Sequence, residues 1–88
     1  DKDFTLINYT IDEPGFVANV AIYDIVGRKI KDIALNETIG SEGFWKWDGT
    51  NYNNEKAKIG IYIVLVDLFD LEGKKKHFEE KVVLGAQF

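Results

Sequence analysis

A hydrolase site of the Ser-His-acid kind would have to use Ser41 and His77, the only serine and the only histidine in the 88 residues. Such a site needs the hydroxyl bonded to the imidazole, and the imidazole held by a carboxylate. Ser41 stands in a polar, Gly-flanked stretch and His77 in a charged segment near the end, so nothing local joins them. Carboxylates are plentiful, fifteen in all, but glycosidase-type acid–base work needs one of them in a cleft with a raised pKa. Asp24, Asp48 and Asp70 each sit beside or just before a Gly-bearing turn, where an Asp side chain closes the turn against backbone N–H groups. The stretch from Asp48 to Glu55 is rich in oxygen ligands, yet it lacks the alternating acids before Gly that a calcium loop uses. Asp1 and Asp3 fit the tail of an acidic loop lying upstream. There is no glycine-rich phosphate loop, and the absence of Cys excludes disulfides, thiolate metal sites and cysteine nucleophiles. The residues read as a non-enzyme, with no catalytic, metal or cofactor site.

Contact chemistry has better candidates. Phe44, Tyr23 and Tyr52 fall at outward or loop positions, where an aromatic ring can stack on a sugar or pack on a protein. Ile61, Ile63 and Leu65 recur at every second residue of an apolar run whose other face is apolar too. Phe44, Tyr52, Ile61, Ile63 and Leu65 therefore form the candidate contact surface. The Ile61 face is covered either by the chain's own terminal strands or by a neighbouring domain. Two glycosylation sequons occur, at Asn8 and Asn36.

The elements that position these residues are strands. Trp45 and Trp47 are two apart, hence on one side of an extended segment, and Asp48-Gly49 ends it. Paired indoles in so small a chain imply a core between two layers. Taken in order, 3–12 reads as a strand with Ile7, Tyr9 and Ile11 inward, followed by a turn at Glu13-Pro14-Gly15. Residues 16–24 form a second strand with Phe16, Ala18, Val20 and Ile22 inward, then a reversal ending at Gly27. Residues 28–35 form a third, in which Ile30 and Ile33 break alternation and imply a bulge near Asp32. The same spacing admits a helix over 25–36. Residues 36–43 read as a loop, 42–48 as the Trp strand, 49–55 as an Asn-rich loop and 56–60 as a short edge strand. Residues 61–70 form a central strand, and 75–84 a last strand with Phe78, Val82 and Leu84 inward. This is an all-β chain: an immunoglobulin-like sandwich of about seven antiparallel strands over 1–88.

Composition bounds the partners. A net charge of −4 opposes nonspecific nucleic-acid binding. The basic run Lys74-Lys75-Lys76 is followed by Glu79 and Glu80 and reads as a solvated turn and edge. No apolar run approaches the roughly 20 residues that span a bilayer. The chain starts with Asp rather than Met and reads as a fragment of a longer protein.

Three segments, Val20-Ala21-Ile22-Tyr23-Asp24-Ile25-Val26-Gly27-Arg28, Gly43-Phe44-Trp45-Lys46-Trp47-Asp48-Gly49-Thr50-Asn51 and Gly60-Ile61-Tyr62, resemble the immunoglobulin-like domain of the flagellar hook-capping protein and its secreted relatives. The stretch from Leu6 to Phe88 is similar to the C-terminal module of large extracellular Bacteroidetes proteins, including those with lamin-tail domains, and its ending fits a natural C-terminus. The resemblance implies a noncatalytic structural or sorting module, secreted or on the cell surface and associated with the outer membrane. Its implied partners are neighbouring domains of the same chain, secretion machinery or cell-surface components. Similar modules direct type IX export, although here no Lys or Arg follows Lys81. A glycan- or protein-binding accessory module is the alternative.

Overall fold

The computed structural model describes residues 5–85; the readings placed on Asp1, Asp3 and the last residues, Ala86 to Phe88, lie outside them. Six strands form: β1 (Thr5–Thr10), β2 (Phe16–Asp24), β3 (Lys29–Ile39), β4 (Glu42–Trp47), β5 (Gly60–Phe69) and β6 (Lys75–Leu84). All ladders are antiparallel. β1 and β4 make one sheet, and the order β3-β2-β5-β6 makes the other. Alternation decides what each strand buries. β2 contributes Phe16, Ala18, Val20 and Ile22, β5 contributes Tyr62, Val64, Val66 and Leu68, and the small sheet answers with Ile7, Trp45 and Trp47.

The indoles bridge the layers. Trp47 is 1% exposed and meets Tyr62 of β5 edge-on, ring centroids 5.1 Å apart, while its Nε1–H donates to the Thr50 carbonyl at 2.9 Å. Trp45 is 7% exposed, stacks on Tyr9 at 4.4 Å and donates its Nε1–H to Glu37 Oε1 at 2.7 Å. Each ring thus buries its apolar body and keeps a partner for its one polar atom, the condition for enclosing a Trp cheaply.

Four sequence expectations need correction. β3 runs on through Asn36 to Ile39, where a loop was expected, and Ile39 is buried opposite Phe16. It can do so because three register shifts absorb extra residues, one of them between the Ala21–Asp32 and Val20–Ala34 pairs. Those bulges let both Ile30 and Ile33 pack against the core, which also disposes of a helix over 25–36. Second, 56–60 forms no strand but only an isolated bridge from Lys56 to Thr50, and the described residues hold six strands, in keeping with the about seven expected. Third, Phe78 faces the inner side as expected, opposite buried Val66, but facing inward does not bury it: it is 51% exposed, because the two-stranded sheet does not reach over β6. Fourth, the link from β3 to β4 is only Gly40 and Ser41.

Candidate functional site

The Asp residues at strand ends do what turn chemistry asks. Asp24 Oδ1 accepts the N–H groups of Val26 (3.1 Å) and Arg28 (2.9 Å), while Gly27 takes φ of 92°. Asp70 Oδ1 accepts those of Glu72 (3.0 Å) and Lys74 (2.8 Å), with Gly73 at φ of 88°. Asn51 repeats the device, accepting from Asn53 (2.9 Å) and Glu55 (3.0 Å), with Asn54 at φ of 61° in the glycine position. The Asn-rich loop is therefore a third copy of the same turn. The substitution of Asn for both Asp and Gly hid it, though Asn also tolerates the left-handed region. Asp48 Oδ1 closes its own turn on Thr50, through the hydroxyl at 2.6 Å and the N–H at 3.1 Å. The hydrogen bond from the Thr50 hydroxyl is the main reason its carboxyl lies below the usual Asp range.

The 49–55 loop clasps the edge of β3 from both sides. Lys31 Nζ donates to Thr50 Oγ1 (2.9 Å), Asn54 Oδ1 (3.1 Å) and the Asn51 carbonyl (3.3 Å). The Tyr52 hydroxyl donates to Asp32 Oδ2 at 2.6 Å; this bond raises the Tyr52 pKa and, with Lys29 beside it, lowers that of Asp32. A shallow hollow of about 250 Å³ lies beside this clasp, lined by Ile33, Trp47 and Asp48 among others.

Ser41 and His77 are not brought together. The Ser41 carbonyl accepts the Ile11 N–H at 2.7 Å in the β3–β4 link. His77 stands on β6 with Nδ1 2.6 Å from Asp67 and Nε2 3.4 Å from Glu79, and these carboxylates, Asp67 foremost, raise its pKa. Among the described residues no three of His, Cys, Asp and Glu gather as a metal site requires. The second sequon lies within β3, where Asn36 at φ of 52° accepts Asn19 Nδ2 on its side chain (3.4 Å) and donates its N–H to Asn19 Oδ1 (2.8 Å).

The candidate contact residues divide. Ile61, Ile63 and Leu65 share the outer face of the four-stranded sheet, in register with Val83, Lys81 and Glu79 on β6. Ile63 and Leu65 also lie beside Tyr23 and Ala21 of β2. Ile61 is 47% exposed, while Ile63 and Leu65 are half-buried. Tyr52 reaches this same face through Asp32, the register partner of Ala21. Phe44 does not: it is 54% exposed on the outer side of β4, beside Asn8, at the opposite surface of the sandwich. The outer sheet face is one continuous surface, and Phe44 belongs to another. The sequence reading missed a groove of about 460 Å³ between β1 and β6, lined by Ile7, Ile11, Val66 and Phe78 among others. Placing Phe78 inward was the signal for it, once the roof proved too narrow.

With the two sheets and their loops described, the molecule can be compared with solved ones. It superposes on FlgD of Xanthomonas campestris, described as a hook-capping protein essential for flagellar assembly, with a TM-score of 0.69 and 23% identity over 93% of this chain. The fold is a FlgD-like sandwich. At that identity the likeness speaks for the fold alone, and the aligned region spans 58% of the FlgD chain. No protein-family model matches the sequence, and no curated protein does.

Proposed function

We propose that this chain is a noncatalytic structural or sorting module of a secreted or cell-surface protein, of the kind that ends large extracellular Bacteroidetes proteins. It holds its place by contact between the Ile61–Ile63–Leu65 face and a neighbouring domain, secretion machinery or another cell-surface component. The observation that carries this reading is the division of labour among polar groups. Asp24, Asp48, Asp70 and Asn51 close turns, Asp32 secures the 49–55 loop, and the conspicuous free chemistry is an apolar sheet face. The likeness to FlgD is one of fold, so the role is argued from this face and not from that likeness. Neither cofactor, nucleic acid nor membrane insertion enters this reading.

The test is fusion of residues 1–88 to an exported reporter in a bacterium with a type IX system. Surface attachment above that of the unfused reporter, lost on Ile61→Asp, is the expected result. Attachment equal to the unfused reporter contradicts the sorting role. A second reading, a glycan- or protein-binding accessory, rests on exposed Phe44 and Tyr52. Binding on a glycan array that disappears with Phe44→Ala or Tyr52→Ala would favour it.

A further inference from the structure

We infer that the groove between β1 and β6 is a docking site for an extended strand of a partner polypeptide, which adds to the free edge of β1 and sets a Lys or Arg against Glu80. Among the described residues β1 pairs with β4 alone, and its other edge presents unpaired backbone N–H and C=O groups. A strand added there lies roughly 4.8 Å further out, over the part of β6 that the small sheet leaves unroofed. The exposed apolar part of the floor it would cover is Phe78, 51% exposed, set against the already buried Ile7, Ile11 and Val66. Main-chain pairing on an open edge with alternate side chains entering pockets is the usual mode of strand addition.

Charge selects the occupant. Glu80 is in register with Val64, hence on the inner side of β6, and its carboxylate makes no ion pair or hydrogen bond among the described residues. An acid on the inner side of an edge strand resists a wholly apolar strand, whereas a strand with one cation at that position satisfies it. A second copy of this chain is a poor occupant. Its β1 carries no Lys or Arg between Thr5 and Thr10, and its β6 sets Glu79 and Glu80 between its lysines, so no lysine there can approach the acid without a like charge close behind. The groove lies on the opposite side of the four-stranded sheet from Ile61, so the inference stands apart from the proposed contact face.

The experiment uses two synthetic ten-residue peptides alternating Val and Thr, one with a central Val replaced by Lys, the other by Glu. Calorimetry measures affinity, and hydrogen exchange followed by NMR locates binding. The expected result is that the Lys peptide slows exchange along β1 and binds at least threefold tighter than the Glu peptide, a modest preference typical of one exposed charge pair. Glu80→Lys inverts that preference, and Phe78→Ser weakens both peptides. The inference is overturned if neither peptide binds at millimolar concentration, or if both bind alike to the native chain and to Glu80→Lys. Protection on β5 rather than β1, or a peptide-independent dimer protecting β1, would overturn it as well.

Discussion

The Tyr9 ring lies directly across Gly43, its register partner on β4: a Cβ at that glycine would stand 2.8 Å from Tyr9 Cζ. The ring then continues onto Trp45, two residues along β4, at a centroid distance of 4.4 Å. The absent side chain is what lets the tyrosine lie down and cover the indole. Gly43→Ala should lift the ring and cost about 1–3 kcal/mol, as overpacking does. In the Tyr9→Ala background the same substitution should cost much less, so a double-mutant cycle in urea reads the contact itself.

Trp47→Ala removes the largest fully buried side chain. The expected loss is about 3–5 kcal/mol, comparable with the whole stability of such a domain at roughly 0.05–0.15 kcal/mol per residue. Near-ultraviolet circular dichroism and thermal melts should therefore find the variant largely unfolded at 37 °C.

The turn equivalence predicts that Asn51→Asp is tolerated, because an Oδ1 acceptor remains for the Asn53 and Glu55 N–H groups. Asn51→Ala removes both bonds, each worth about 0.5–1.5 kcal/mol net. Urea midpoints of the two variants should separate accordingly.

Two opposite pH effects follow from the shifted groups. Asp24, Asp32 and Asp48 have lowered folded pKa values, held down respectively by the Arg28 backbone N–H, the Tyr52 hydroxyl and the Thr50 hydroxyl. Their contribution is present above the ordinary Asp pKa of about 3.9 and is lost as pH falls through the lowered values, so urea midpoints should decline in acid.

His77 runs the other way. Its folded pKa is raised by Asp67 and Glu79, so its contribution is complete below the ordinary value of about 6.5 and fades as pH rises through the raised one. The effect is small, because the ring is half exposed. A histidine NMR titration of the folded chain should give a pKa above that of the urea-unfolded chain, and Asp67→Asn should bring it down.

Strands that carry apolar residues at every second position were legible in the sequence. β2 and β6 were placed with the bounds they have, and β5 within one residue, because alternation of apolar residues is a direct record of which side meets the core. β3 was not, because its pattern slips at each bulge: Ile30 and Ile33 contact the core from positions that period two forbids. Asn36 to Ile39 looked like loop since polar residues at an edge strand need no burial. The apolar outer face of β5 was legible from apolar residues on both sides of one strand. The groove was not, since it depends on how far one sheet overhangs the other, which no local pattern encodes. Phe44 was read as outward, correctly, but the sequence could not say that it faces away from Ile61.

The central claim is that both indoles are sealed between two antiparallel layers. Iodide quenching of tryptophan fluorescence tests it most directly. Native protein should show a quenching constant several-fold below that of the urea-unfolded chain, with Trp45→Phe and Trp47→Phe each leaving a similarly protected fluorophore. Equal quenching of folded and unfolded protein would contradict the sandwich and the reading of function built on it.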